Sequence, residues 1–219
     1  TAGFADGMGI SAMFSGPCGM AVSEDESTLY IADEVNNRIR TMVPKRLSEG
    51  EVVTVAGSGS CGYSDGIGIG AQFHFSNGIA MSSDGLTLYI ADMSNFAIRT
   101  VAAKTAVVGT LVGSRSGVSG SIDGIGTNAL FSNPKGVVTS SDGLKLYVAD
   151  SGNHNIRVVD IDTTSVTTLV GSGVKAGLAV DYYAALAGPA PPDLQEKVTA
   201  WVTAAGGRLG GQHQISKNL

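Results

Sequence analysis

The stretch "LYIADEVNNRIRTM" at Leu29–Met42 occurs three times, with small changes, in this chain of 219 residues. It returns as "LYIADMSNFAIRTV" at Leu88–Val101 and as "LYVADSGNHNIRVV" at Leu146–Val159. The copies are spaced by 59 and then 58 residues, measured between the aspartates Asp33, Asp92 and Asp150. Repetition at a fixed period of this length indicates a tandem array of similar structural units.

A glycine-rich loop precedes each copy and keeps the same spacing. It reads "FADGMGISAMF" at Phe4–Phe14, "YSDGIGIGAQF" at Tyr63–Phe73 and "IDGIGTNALF" at Ile122–Phe131. The loops place three acids and three aromatic residues in register: Asp6, Asp65 and Asp123, and Phe14, Phe73 and Phe131. A Ca²⁺ ion takes about 6–8 oxygen ligands, whereas each loop offers one carboxylate. We therefore expect a connection between units, with its phenylalanine packed between two sheets.

Each unit reads as short strands separated by turns. The first turn holds Asp-Gly at Ser82–Gly85 and Ser140–Gly143, which predicts a type I′ hairpin with two left-handed residues. The second turn holds an asparagine, a residue that tolerates the left-handed region, at Asn36, Asn95 or Asn153. Four antiparallel strands per unit are typical of a propeller blade.

The repeated core resembles the NHL-repeat family, whose repeats carry hydrophobic-Tyr-hydrophobic-Ala-Asp-x-x-Asn-His-x-Ile-Arg. The third unit matches best, through Asn153 and His154, whereas the other units have Asn37 and Phe96 at the histidine position. The resemblance covers about residues 1–173 and implies an all-β fold. We expect a partial β-propeller of three four-stranded antiparallel blades, in units of about 1–59, 60–117 and 118–175.

Residues 176–219 depart from the repeat and form a degenerate extension with a tail. Asp193 is a candidate helix cap and Trp201 lies in an apolar stripe, which predicts a helix over about 192–205. This helix either covers the exposed edge of the last blade or docks a partner. The resemblance implies a ring of six blades, and three units cannot close such a ring. The chain is then a piece of a longer protein, a half-ring completed by another copy, or an open array of three blades.

The repeated polar residues fit structural roles. Each aspartate that closes a strand can accept backbone N–H groups of the following turn. Each arginine on the returning strand can pair with a neighbouring carboxylate, and the three are Arg40, Arg99 and Arg157.

The composition of the chain excludes some classes of function. The net charge of −5 argues against nucleic-acid binding. The sequence contains no run of 18 or more apolar residues, the length at which a membrane span is predicted. The three histidines, His74, His154 and His213, share no repeat-equivalent position, so we expect no catalytic residue, metal or cofactor. The favoured function is a non-catalytic protein-interaction or scaffold module that binds a protein partner or another copy of the chain. The resemblance leaves one alternative, a metal-dependent lyase or lactonase-like enzyme whose site is completed by blades outside this sequence.

Candidate contact residues are those that vary between units or stand apart from the repeat: Met93, Phe96, His154 and Trp201. Cys18 and Cys61 lie in loops expected on one side of the propeller, where either a disulfide or two free thiols would fit. The cellular compartment stays open.

Overall fold

The structure, a computed structural model, describes residues 2–43 and 50–171, which form fifteen β-strands in three groups of five. The first group is β1 (Gly7–Met8), β2 (Pro17–Val22), β3 (Leu29–Asp33), β4 (Arg38–Val43) and β5 (Glu51–Ala56). The second is β6 (Gly66–Ile67), β7 (Ser76–Met81), β8 (Thr87–Asp92), β9 (Ala97–Ala102) and β10 (Val107–Gly113). The third is β11 (Gly124–Ile125), β12 (Pro134–Thr139), β13 (Lys145–Asp150), β14 (Asn155–Asp160) and β15 (Ser165–Val170).

Each group forms one antiparallel sheet, and the three sheets share one topology. The strand order is β1-β5-β4-β3-β2 in the first sheet, and β6 to β10 and β11 to β15 repeat it. The innermost strand of each sheet contacts that of the next sheet: β2 lies against β7, and β7 lies against β12. This arrangement confirms the all-β partial propeller with antiparallel blades. The four expected strands are present in each blade, and two residues of the glycine-rich loop add a short fifth strand at the outer edge.

Alternation along the strands gives each sheet two apolar faces. We call the face that packs on the preceding sheet the leading face, and the opposite face the trailing face. Tyr30 and Ala32 on the trailing face of the first sheet pack against Leu88 and Ile90 on the leading face of the second. Tyr89 and Ala91 pack in the same way against the equivalent residues of the third sheet, Leu146 and Val148.

The loop phenylalanines fill the space between the sheets. Phe73 is fully buried between the first and second sheets, and Phe131 between the second and third. Both therefore occupy the expected position. Phe14, which ends the first loop, is half-buried because no described sheet precedes it.

The inner strands approach one another so closely that only glycine fits at the contact. A Cβ added to Gly19 would lie 2.2 Å from the carbonyl oxygen of Asn77 in β7. A Cβ added to Gly78 would lie 2.1 Å from the carbonyl oxygen of Lys135 in β12. In the first two blades the repeated glycine is thus required by contact between backbones.

The Asp-Gly hairpins differ from the expected type. Only one residue of each turn has a positive φ: Gly85 at 68° and Gly143 at 73°, with Glu26 at 56° in the first sheet. A type I′ turn needs two such residues, so that prediction was wrong. The preceding Asp84 keeps a negative φ because its side chain accepts hydrogen bonds from Ser82 Oγ and Leu86 N.

The expected helix over about 192–205, its Asp193 cap and Trp201 lie outside the described residues. In the described ranges, no helix has the length and apolar character needed to cross a bilayer.

Candidate functional site

A buried ion network joins the turn, the returning strand and the glycine-rich loop of each blade. In the second blade Arg99 Nη1 donates to Asp92 Oδ2 at 2.8 Å, and Arg99 Nη2 donates to Asp65 Oδ1 at 2.7 Å. Asn95 Nδ2 donates to Asp92 Oδ2 at 2.8 Å, and His74 N donates to Asp92 Oδ1 at the same distance. One guanidinium therefore links two carboxylates that are separated by more than twenty residues in the chain.

The first and third blades repeat this network atom for atom. Arg40 donates to Asp33 at 2.8 Å and to Asp6 at 2.7 Å. Arg157 donates to Asp150 at 3.1 Å and to Asp123 at 2.7 Å. The two remaining asparagines, Asn36 and Asn153, donate to the strand-closing carboxylates at 2.8 and 2.7 Å.

The network also satisfies backbone groups of the incoming loop. Arg99 donates to the carbonyl oxygens of Gln72 and Ser64 at 3.1 and 3.0 Å, and Asn95 donates to that of Gly62 at 2.8 Å. The carboxylates that close β3, β8 and β13 accept backbone N–H groups of this loop, from Ser15, His74 and Ser132. We had expected N–H groups of the following turn, so the prediction named the wrong donor.

Each guanidinium lies over the loop phenylalanine of its own blade. The Cζ atom lies 4.9 Å from the ring centroid in Arg40–Phe14, 5.3 Å in Arg99–Phe73 and 5.0 Å in Arg157–Phe131. Such cation–π geometry favours a charge that is shielded from water. The repeat spacing gave no signal for this stacking, because the two residues are about half a unit apart in the chain.

Burial and hydrogen bonding shift the pKa of the strand-closing carboxylates in opposite directions. Desolvation raises the pKa of Asp92, while hydrogen bonds from Asn95 and the charge of Arg99 oppose that rise. Desolvation likewise raises the pKa of Asp150 against Asn153, Ser132 and Arg157. Removing either arginine would therefore leave a buried carboxylate without its compensating charge.

The loop aspartates lie at the exposed surface, and each carboxylate has hydrogen-bond partners within its own blade. Asp6 Oδ1 accepts from Arg40 and from Thr54 Oγ1 at 3.1 Å. Asp65 and Asp123 each accept from the equivalent arginine and threonine of their own blade. The exposed Arg115 also contacts Asp65 Oδ2 at 3.5 Å. Among residues 2–43 and 50–171, no group of three or more His, Cys, Asp or Glu side chains could hold a metal ion.

The turn between the second and third strands of the repeat is stabilised differently from the prediction. The left-handed residue is the one after the asparagine: Asn37 with φ 50°, Phe96 with φ 56° and His154 with φ 53°. The asparagines instead use their side chains to bind the buried carboxylate. This position of the repeat therefore tolerates different side chains while the asparagine anchors the turn.

Three of the candidate contact residues, Met93, Phe96 and His154, are half-buried. In the first blade the residue at the fourth turn position contacts the following blade, since Asn37 Oδ1 accepts a hydrogen bond from Phe75 N at 2.9 Å. The exposed side chain of the first-blade turn is Val35.

Of the two alternatives for Cys18 and Cys61, the structure has two free thiols and no disulfide between them. Cys18 Sγ lies 3.3 Å from the carbonyl oxygen of Asn77, and Cys61 Sγ accepts from Asn37 Nδ2 at 3.5 Å. Each sulfur is thus engaged with a different part of the interface between the first two blades. Desolvation raises the pKa of the Cys18 thiol to about 12.

A shallow cleft lies beside the network of the first blade, between Phe4, Asp6, Arg38, Thr54, Ser58 and Ile69. Arg38 closes one side, with its Cζ 3.7 Å from the Phe4 ring centroid and its Nη2 donating to the Ser58 carbonyl oxygen at 2.8 Å. The equivalent positions in the other blades are Ala97 and Asn155, so this wall occurs in the first blade alone.

Sequence comparison matches residues 131–159 to the NHL repeat, across the strand, turn and buried arginine of the third blade. The chain belongs to the NHL-repeat family. It is 32% identical over 173 residues to NHL repeat-containing protein 2 of Bos taurus, a match that covers 76% of this chain and 22% of that protein. It is also 36% identical over 107 residues to Protein SUPPRESSOR OF QUENCHING 1, chloroplastic, of Arabidopsis thaliana, covering 46% and 10% of the two chains.

The NHL fold is shared with solved structures of low sequence identity. An auxiliary nutrient binding protein of Bacteroides ovatus superposes with a TM-score of 0.59 at 21% identity, covering 70% of this chain and 37% of that one. This NHL chain spans about a fifth of the length of the NHL repeat-containing protein 2 that it matches.

Proposed function

We propose that this chain is a non-catalytic protein-interaction module, a rigid NHL-type scaffold that belongs to a larger protein or assembly. One observation carries the proposal: the same buried network fixes three turns whose outward residues differ. We call these turns, at residues 34–37, 93–96 and 151–154, the turn face. A fixed backbone with variable side chains is the arrangement by which propeller loops commonly bind partners.

The network supports a scaffold role because its charged groups have structural partners. Each guanidinium is fully buried and binds two carboxylates and loop carbonyl oxygens. These bonds hold the turn face against the incoming loop without using its exposed positions. A partner would therefore be selected at the exposed Val35 and Gly152 and at the half-buried Ser94, which occupy equivalent positions.

Site-specific photo-crosslinking tests the proposal. A benzoylphenylalanine at Val35 samples the turn face, and the same group at Ser83 samples an exposed hairpin at the opposite end of the blades. We expect a protein adduct at Val35 and none at Ser83. The purified partner should then bind the chain, and Val35→Glu should weaken that binding while Ser83→Glu leaves it unchanged.

Two results would contradict the scaffold function. One is equal crosslinking at both ends, which would indicate non-specific contact. The other is a lactonase or lyase activity of the purified chain that is lost on chelation and restored by a divalent metal.

A further inference from the structure

The trailing face of the third sheet is buried, although no described part of the chain packs on it. Tyr147 is 5% exposed and Ala149 is 3% exposed, close to their equivalents Tyr89 and Ala91 in the second sheet. Tyr89 and Ala91 are buried because the third sheet packs on them. In the described ranges, the apolar cluster that contains Tyr147 consists of third-sheet residues alone. Another part of the molecule therefore covers this face.

The first sheet does not supply this cover. Met20 on its leading face is 62% exposed, whereas the equivalent Ile79 of the second sheet is packed and 6% exposed. Residues 44–49 connect β4 to β5 in the first sheet, and the second sheet separates them from the third. The part of the chain that remains is residues 172–219, which follow β15 directly.

These residues leave the described structure beside two buried polar side chains that have no partner there. A Cβ added to Gly171 would lie 2.5 Å from the carbonyl oxygen of His154 and 2.6 Å from the Cβ of Asn155. His154 Nε2 and Asn155 Oδ1 are buried and have no hydrogen-bond partner among the described residues. Buried polar atoms of this kind are normally hydrogen-bonded, so partners are expected close to the point where the chain continues.

The first blade shows which part of the chain binds at these two positions. Asn37, the equivalent of His154, accepts from Phe75 N at 2.9 Å. Arg38, the equivalent of Asn155, donates to Ser58 O at 2.8 Å. Both partners lie in the chain that connects β5 to β7, which is the start of the following unit. The corresponding part of the chain after the third blade begins at residue 172.

The sequence after β15 keeps part of the repeat. Asp181 follows Asp123 by 58 residues, one repeat period, and Ala187 follows Asp181 by six residues, as Ala129 follows Asp123. Ala129 is fully buried between the second and third sheets. Pro189 stands at the place of the loop phenylalanine. A unit that keeps some repeat positions and loses others is typical of the atypical repeat that caps an array.

We propose that residues 172–189 cover the trailing face of the third sheet as the remnant of a fourth inter-blade loop. Ala187 takes the place there of Ala71 and Ala129, which are fully buried in the two internal interfaces. The chain thereby closes its own apolar face, which a further blade or another molecule would otherwise cover. The proposal goes beyond the scaffold function, because it concerns the end of the array and leaves the turn face available to a partner.

Photo-crosslinking within the full chain tests the contact. Benzoylphenylalanine at Pro189 places an aromatic ring where Phe73 and Phe131 pack between sheets, and the same group at Gln212 is the matched control. We expect the probe at Pro189 to join the tryptic peptide 146–157, which carries the trailing face. The adduct should form within one chain, at the chain mass of 22.2 kDa. The probe at Gln212 should leave this peptide unmodified.

Hydroxyl-radical footprinting of the unmodified chain gives an independent measurement. Tyr147 should be oxidised as slowly as Tyr89, because both are 5% exposed. Ala187→Glu should raise the oxidation rate of Tyr147 by about tenfold, since a charge at a buried contact opens it locally. The same variant should leave the rate of Tyr89 unchanged, and Gly211→Glu should change neither rate.

Three outcomes would overturn the proposal. Adducts of peptide 146–157 at twice the chain mass would show that a second copy covers the face. Rapid oxidation of Tyr147 in the wild-type chain would show that the face is open to solvent. If Ala187→Glu leaves Tyr147 protected and the probe at Pro189 gives no adduct, residues after 189 or another polypeptide supply the cover. None of these results bears on crosslinking at Val35, so the scaffold function would stand or fall separately.

Discussion

Phe73 and Phe14 end the same loop motif in neighbouring blades, yet Phe73 is fully buried and Phe14 is half-buried. Both lie beneath an arginine of their own blade, at 5.3 and 4.9 Å. The difference lies outside the blade, because the first sheet packs on Phe73 and no described sheet packs on Phe14. The bonds within a blade are therefore repeated faithfully, while burial depends on the neighbouring blade.

The largest expected effect is the loss of the ion network above Phe73. Arg99→Ala removes the compensating charge of two carboxylates, one of them fully buried, and should lower the free energy of unfolding by about 3–5 kcal/mol. Urea denaturation measures this change. Arg99→Lys keeps the charge but loses the planar fork, so it should fall between wild type and alanine. A loss of stability close to zero would show that the network does not hold the blade together.

The next effect tests the comparison of the two phenylalanines directly. Phe73→Ala should cost about 3–4 kcal/mol, because it opens a cavity between two packed sheets. Phe14→Ala should cost clearly less, because Phe14 is half-buried and no described sheet packs on it. Equal losses would mean that Phe14 has a cover of its own in solution.

A smaller effect concerns the inner strands. Gly19→Ala places a Cβ against the Asn77 backbone and should cost about 1–3 kcal/mol. Gly70→Ala, at a position with open space, should change stability by no more than about 0.5 kcal/mol. Thermal unfolding of the two variants checks the difference. If Gly19→Ala is as stable as Gly70→Ala, the inner strands lie farther apart than described.

The smallest effect on stability lies at the hairpins, where the first and second blades should show the same dependence on pH. Ser23 Oγ donates to Asp25 at 2.6 Å and Ser27 Oγ at 2.7 Å, and these bonds lower the pKa of Asp25 to about 2. Because the pKa is lowered on folding, this contribution to stability is present above about pH 4 and is lost as the pH falls towards 2.

Carboxyl resonances followed by NMR during acid titration measure this pKa. Ser23→Ala should move the pKa of Asp25 up towards its ordinary value, and Ser82→Ala should do the same for Asp84, whose pKa is lowered by the same kind of bond. If Ser23→Ala leaves the pKa of Asp25 unchanged, that result would contradict the hydrogen bond between the two side chains.

The sequence predicted the strands and the inter-sheet position of Phe73 and Phe131, because alternation and repeat spacing report on each blade separately. It missed the hairpin type and the left-handed residue after each asparagine. In both cases a side chain forms a hydrogen bond with a partner that spacing does not reveal: Asp84 with Ser82, and Asn95 with the buried Asp92.

The candidate site was less accessible to sequence reasoning. The repeated Asp, Asn and Arg residues were identified as structural, but their joint network was not foreseen. Met93 and Phe96 are candidate contact residues because they break the repeat, and the structure places both half-buried. Breaking the repeat indicates that the position tolerates variation, and it does not tell whether the neighbouring blade covers that position.

By itself the sequence determined the period, the strand pattern and the residue types that every blade needs. These depend on local geometry, in which alternate residues face opposite sides of a strand and turns demand particular backbone angles. Only the tertiary structure decided which carboxylates share an arginine, since the partners lie 34 residues apart in Arg99–Asp65. It also decided that the same phenylalanine is buried in one blade and half-buried in another, because burial depends on which surface lies across the interface.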